Sequence, residues 1–258
     1  MSLCKDCVSG VRHEGIPEGK WEVFGGINTY VATPELDFPK DKVLLYLTDI
    51  FGPQLPNAQL LADDFARNGF KTIVPDIFNG DSAPPDALNP GSTFALQEWF
   101  SKHGNAQTRP IIDKVIAALR EQGVKEIGAT GYCFGARYVF NLAYEGLIKV
   151  SVVSHPSLLR NPRDLEKYSK TSVPLLINSC TFDEQFPKEF QEKADEILGG
   201  GKFKPGYVRE YWEGCTHGFM VRGDLNDPQV KAGREGGFKA SIKFLLKHLP
   251  ADNIKVKM

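Results

Sequence analysis

A cysteine held between two glycines, in Gly131-Tyr132-Cys133-Phe134-Gly135, is the segment best suited to covalent chemistry. It follows a β-prone stretch, Glu126 to Thr130, and opens a helical one, Phe134 to Tyr144. A nucleophile on such a tight strand-to-helix turn needs glycine two positions to either side, where a Cβ would collide with the adjoining strand and helix. Near a helix N-terminus, free N–H groups and the dipole favour the thiolate, which is the reactive form. A structural cysteine in a glycine-rich turn is the competing reading, and the strand–turn–helix setting weighs against it.

An activated nucleophile needs a base and a group that orients the base. On a turn of this kind they follow in the order nucleophile, acid, base. Asp183 lies just past the β-prone run Pro174 to Asn178, and His217 lies just past Tyr207 to Trp212. Both therefore fall at strand C-terminal ends, the edge where open α/β sheets place their sites. Taken singly, Asp183 reads equally as a helix N-cap and His217 as a loop histidine. Glu184 is the competing acid, but its neighbouring position points it elsewhere. In the triad reading, Cys133 attacks an acyl carbon, His217 exchanges protons, and Asp183 fixes the imidazole tautomer. The backbone N–H of Phe134 would stabilise the oxyanion, with a second N–H from Ile50 in the loop after Val43 to Leu47.

The elements that must position these residues are legible as alternating patterns. Strand-like runs lie at 43–47, 72–75, 126–130, 149–154, 174–178 and 207–212, and several are continuously apolar, as strands covered on both faces are. Between them, Ala58, Leu61, Ala62 and Phe65, then Ile112, Val115, Ile116 and Leu119, repeat the helical spacing. Pro110 stands near the start of the second of these helices. Further helical patterns cover Phe134 to Tyr144, Phe190 to Leu198 and Phe238 to Leu246. The expected architecture is α/β, a mostly parallel sheet with helices on both faces. A hairpin around Gly25-Gly26 is expected to add antiparallel strands at the sheet edge. Residues 1–17 read as an irregular lead-in and 18–258 as a single domain, with residues 76–91 as the longest loop.

Composition limits the alternatives. In 258 residues, 31 Lys and Arg face 32 Asp and Glu, and 41% of residues are hydrophobic, so the chain is neither disordered nor basic enough to suggest a nucleic-acid partner. No apolar run approaches the ~18 residues of a membrane span. The first residues lack a secretory pattern, and five cysteines in a chain of this size read as free thiols, so a cytoplasmic address is expected. Cys4 and Cys7 with His13 make an incomplete zinc set, so no metal is expected. Nothing resembles a dinucleotide or phosphate loop, so no cofactor is expected. The partner is expected to be a small-molecule ester or lactone, with the oligomeric state open between monomer and homodimer.

Together, Gly-Tyr-Cys-Phe-Gly at 131–135, Asp183, His-Gly-Phe at 217–219 and Thr48-Asp49-Ile50-Phe51-Gly52 resemble the dienelactone hydrolase family of the α/β-hydrolase fold, in its eukaryotic form. Pro56-Asn57, Ala62-Asp63 and Val74-Pro75-Asp76 add to the likeness, which runs from about Gly25 to Leu249. The resemblance implies opening of an enol-lactone through a thioester, with Cys133, Asp183 and His217 as the triad and Ile50 and Phe134 as the oxyanion hole. Bacterial members carry a Glu that helps deprotonate the thiol; here Asp49, one methylene shorter, holds that place and is expected to tune Cys133. They also use Arg to hold the substrate carboxylate, a part that Arg222 would take. Phe51, Phe78, Tyr132 and His155 are expected pocket residues. Two rivals stay open: a receptor-like ligand-binding protein on this scaffold, and another acyl hydrolase such as a thioesterase.

Overall fold

A computed structural model describes residues 15–250. Cys4, Cys7 and His13, with most of the expected lead-in, lie outside the described residues. The chain forms β1 (Lys20–Phe24), β2 (Ile27–Ala32), β3 (Lys42–Leu47), α1 (Pro56–Arg67), β4 (Thr72–Pro75), α2 (Leu96–Lys102) and α3 (Asn105–Glu121). It continues through β5 (Glu126–Tyr132), α4 (Phe134–Tyr144), β6 (Val150–Ser154), α5 (Arg163–Tyr168), β7 (Leu175–Phe182) and α6 (Lys188–Leu198). β8 (Tyr207–Thr216), α7 (Phe219–Arg222) and α8 (Pro228–His248) complete it.

The strands make one eight-stranded sheet in the order β1-β2-β4-β3-β5-β6-β7-β8. β1 pairs antiparallel with β2, and β2 with β4, while every later pair is parallel. This is the expected mostly parallel sheet, with the hairpin turning at Gly25-Gly26. The direction of winding reverses between β3 and β5, and such a switch point opens a crevice at the strands' C-terminal ends. Central strands bury both faces: all but the first residue of β3 and of β5 is buried, as is the whole of β6. That double burial is why they are continuously apolar. Helices cover both faces, giving one core that includes Leu45, Ile127, Phe134 and Phe140 and another that includes Tyr46, Tyr132, Phe219 and Ile242.

Four local expectations need correction. α3 begins at Asn105, so Pro110 sits inside the helix rather than at its start. β7 and β8 run on to Phe182 and Thr216, four residues beyond the ends of their apolar runs. The short helices α2, α5 and α7 have no clear amphipathic repeat and were not expected. α8 begins ten residues before its apolar pattern, in the glycine-rich stretch containing Gly233, Gly236 and Gly237. A Cβ at those positions would run into Cys215, Trp212 and Met220, so glycine buys helix α8 its close approach to β8 and α7.

Candidate active site

Strand register assembles the site. Leu47 pairs with Gly131, Tyr132 with Ser154, and Phe182 with Thr216. The residues that follow these pairs are therefore neighbours along one sheet edge: Ile50 after β3, Cys133 after β5, Ser157 after β6, Asp183 after β7 and His217 after β8. Backbone bonds fix the junctions. The Cys133 N–H donates to the Ser154 carbonyl at 3.2 Å, the Ser157 N–H to the Cys133 carbonyl at 3.0 Å, and the His217 N–H to the Phe182 carbonyl at 2.9 Å.

Cys133 has φ 48° and ψ −111°, a conformation that L-residues rarely adopt, immediately before α4. Its glycines are dictated by space. A Cβ on Gly131 would lie 2.6 Å from Cγ2 of Val139, and one on Gly135 would strike the Leu47 carbonyl. The two glycines let α4 start directly against the ends of β3 and β5.

From Cys133 a chain of polar contacts runs to Asp183. Cys133 Sγ lies 3.2 Å from Ser157 Oγ, which lies 3.4 Å from His217 Nε2. His217 Nδ1 lies 2.8 Å from Asp183 Oδ1. That same carboxylate oxygen accepts the N–H groups of Gln185 at 2.9 Å and Phe186 at 3.0 Å. Asp183 thus braces the turn before α6 and orients His217 at once, but the helix is capped at Pro187 with no side-chain bond, so the N-cap reading of Asp183 does not hold. Glu184 is exposed. Burial works against the imidazolium, but the hydrogen bond to Asp183 and the neighbouring Cys133 sulfur outweigh it and push His217 up to about 10. Ser157, absent from the sequence-based site, has its hydroxyl within reach of both the sulfur and the ring, beside the direct hydrogen-bond interaction of His217 with Cys133. Its only signal was its place in His155-Pro156-Ser157 at the same sheet edge.

Asp49 and Arg222 come together across 173 positions of sequence, with Arg222 Nε donating to Asp49 Oδ2 at 3.0 Å. Oδ1 of Asp49 accepts the Phe51 N–H at 3.1 Å. Burial holds the Asp49 carboxyl above its ordinary pKa, and Arg222 and the Phe51 N–H pull it back only in part. The Arg222 guanidinium lies 4.5 Å from the centre of the Phe51 ring.

A cleft of about 1190 Å³ opens over this edge, lined by Ile50, Cys133, Phe134, Ser157 and His217 among others. Among the described residues, no hydrogen bond takes up the Ile50 N–H. The expected pocket residues lie elsewhere. Tyr132 is fully buried on the opposite face of the sheet, its ring 4.8 Å from that of Tyr46. Phe78 packs against Trp99 and Phe134 beneath the cleft floor. Phe51 lies under Arg222, and neither lines the cleft. His155 is fully buried behind His217, with ring centroids 5.0 Å apart. Burial first, then the charges of His217 and Arg222, hold His155 well below its ordinary pKa, so it is neutral. The walls come instead from α2, α4 and α5, through residues such as Leu96, Phe100, Tyr138 and Arg163. Among the described residues, no cluster of three His, Cys, Asp or Glu side chains could hold a metal ion, and no helix is long and apolar enough to cross a membrane.

Comparisons with known proteins bear on the family and the fold. The family model described as "Dienelactone hydrolase family" matches residues 27–249. The hydrolase pyvD of Aspergillus violaceofuscus is 33% identical over 244 residues, which are 94% of this chain and 96% of that protein. The carboxymethylenebutenolidase homolog of Xenopus tropicalis is 30% identical over 246 residues, covering 94% and 96%. Among solved structures, the dienelactone hydrolase-like promiscuous phosphotriesterase P91 from metagenomic libraries superposes with a TM-score of 0.67. That match has 17% identity and covers 91% of this chain and 99% of the other, a likeness of fold alone.

Proposed function

The chain belongs to the dienelactone hydrolase family and is a hydrolase of esters and lactones, and from that premise we propose that it works through a thioester on Cys133. The observation that carries this reading is the unbroken line of contacts Cys133–Ser157–His217–Asp183 at the sheet's switch point. The Cys133 sulfur adds to the acyl carbon, and the carbonyl oxygen takes up charge facing the N–H groups of Ile50 and Phe134. The C–O bond then breaks, and the leaving oxygen takes the proton from Nε2 of His217. Water, losing a proton to the same nitrogen, attacks the thioester and releases the acid and the thiolate. The sum is ester plus water to acid plus alcohol, or lactone plus water to hydroxy or keto acid, with no cofactor in any step.

Ser157 gives the proton a path. With neutral His217, the thiol donates to Ser157 Oγ and the hydroxyl donates to Nε2. With the imidazolium, Nε2–H donates to Oγ and the hydroxyl donates to the thiolate. One rotation of a hydroxyl serves both states. Asp49 is engaged by Arg222 and the Phe51 N–H, so a direct hydrogen bond between its Oδ2 and Cys133 would replace the one from Arg222, while its charge already acts on His217. An anionic group on an arriving substrate is what would draw Arg222 away.

The test is turnover of an enol-lactone, an aryl ester and an acyl thioester by the native protein and by Cys133→Ala, with intact mass on quenched reactions. Turnover lost in the variant, with an acyl adduct on the native chain, is the expected result. Turnover that survives Cys133→Ala would overturn the mechanism. Tight ligand binding without turnover or adduct on any of the three would favour the receptor-like reading.

A further inference from the structure

The cleft is far larger than a small lactone needs, and its far end is charged. α4 forms its floor: Phe134, Arg137, Tyr138, Asn141 and Tyr144 all line it, a spacing that puts them on one helix face. The cleft therefore runs along α4 from Cys133 at the helix N-terminus, and at 1.5 Å per residue Tyr144 stands ~15 Å along the axis from Phe134. Its apolar walls include Leu96, Leu159 and Phe100, the last stacked beside Phe134. At the Tyr144 end stand Asp164 and Lys167, both against Tyr144, and the lining there carries Arg137, Arg160, Arg163 and Lys167 against that one carboxylate.

That carboxylate is already engaged. Asp164 Oδ2 accepts from Arg137 Nη1 at 2.5 Å and from the Arg160 N–H at 2.7 Å, and Oδ1 accepts from the Tyr144 hydroxyl at 2.9 Å. The Lys167 ammonium lies 4.1 Å from the Tyr144 ring centre. Among the described residues, neither the Arg160 nor the Arg163 guanidinium pairs with a carboxylate. Both face the cleft, in a chain whose net charge is −1, so the concentration of positive charge is local and not compositional. Apolar walls leading to unpaired guanidinium groups fit one ligand chemistry.

We propose that the outer end of this cleft binds an anionic group, carboxylate or phosphate, on an elongated acyl substrate whose scissile carbonyl rests at Cys133. This rests on the esterase reading above and narrows its substrate class from esters and lactones at large to long, acid-terminated esters. The site is separate from Arg222, which is held by Asp49 and does not line the cleft.

The test uses p-nitrophenyl esters of dodecanedioic acid with the far carboxyl free or methyl-capped, and the matching succinate pair as a chain too short to reach. The free acid should be preferred about five- to tenfold in kcat/KM on the long chain only, since exposed pairs contribute modestly. That ratio should fall to about one in Arg160→Gln/Arg163→Gln and be partly kept in Arg160→Lys/Arg163→Lys. An ω-phosphate ester separates the two anions, the larger preference identifying the one recognised. Binding of dodecanedioate to Cys133→Ala by calorimetry, with and without the two arginines, reads the anion site independently of turnover. Loss of all Cys133-dependent hydrolysis would sink the esterase reading alone. A preference equal on short and long chains, or a preference and an affinity both unchanged in the glutamine variant, would overturn the proposal.

Discussion

Ser157 is where a single atom matters most. Its hydroxyl touches both sulfur and imidazole, so Ser157→Ala should lower kcat/KM by about a hundredfold, the lower end of the scale for a proton-transfer partner. Ser157→Thr, which keeps the hydroxyl, should recover much of the loss, and thermal stability should barely change. Equal activity in the alanine and threonine variants would show that the hydroxyl carries no proton. The pH profile tests His217. Its folded pKa of about 10 exceeds the ordinary 6.5, so its proton is held more tightly in the folded state. The linked stability is complete below 6.5 and is lost as pH rises through 10. On the proposed mechanism the leaving oxygen takes that proton, so kcat/KM should fall along an alkaline limb near 10, and Asp183→Asn should move the limb to lower pH. Burial, with Asp227 nearby, pushes the Cys215 thiol up to about 11, and burial raises Cys180 further. Brief alkylation followed by peptide mapping should therefore label Cys133 well ahead of those two.

At the scale of elements, the strand–turn–helix around Cys133 depends on how closely α4 approaches β3. A Cβ at Gly135 meets the Leu47 carbonyl, a backbone atom that cannot swing aside. Gly135→Ala should thus cost about 1–3 kcal/mol in chemical denaturation and remove activity by displacing the Phe134 N–H. Normal activity would mean that the turn tolerates a shift of α4. This motif was legible because its constraint is local: five residues, one steric reason. The ends of β7 and β8 were not, because Ser179 to Phe182 and Glu213 to Thr216 lack an apolar run and are held as strand by cross-strand pairing, Ser179 with Tyr211, Cys180 with Trp212 and, past a bulge, Phe182 with Thr216. α2 and α5 were not legible either. They carry too few residues for a periodicity to form, yet Leu96, Phe100, Arg163 and Lys167 on them wall the cleft. Tyr132 was misplaced for a related reason. It adjoins Cys133 in sequence, but successive strand residues face opposite sides, and the sheet separates them.

Across the whole molecule, Asp49 and Arg222 tie the loop after β3 to α7. Asn57 Nδ2 adds a bond to the Val221 carbonyl at 2.8 Å across the same gap. The Asp49 side chain is 1% exposed and that of Arg222 23%, so removing the arginine strands a buried carboxylate. Arg222→Met should cost about 3 kcal/mol of folding stability, and Asp49→Asn in addition should return much of it, as breaking a buried pair costs more than replacing it. Urea denaturation of the four proteins measures this; additive losses would show that the two side chains are energetically independent. His155 gives the fold an acid-sensitive point. Its folded pKa lies well below 6.5, so its contribution to stability is full above 6.5 and is lost as pH falls toward the folded value. His155→Phe should flatten the acid limb of stability.

The amino-acid sequence by itself determined the α/β class, the cysteine turn, and the order Cys133, Asp183, His217, because these rest on steric rules and periodicities spanning a few residues. Tertiary structure alone decided that the Ser157 hydroxyl touches both sulfur and imidazole, that Asp49 meets Arg222, and that the cleft runs along α4 to Arg160 and Arg163. Those facts depend on strand register and helix packing between segments far apart in the chain. No local pattern encodes the distance between two side chains that only the closed sheet brings together.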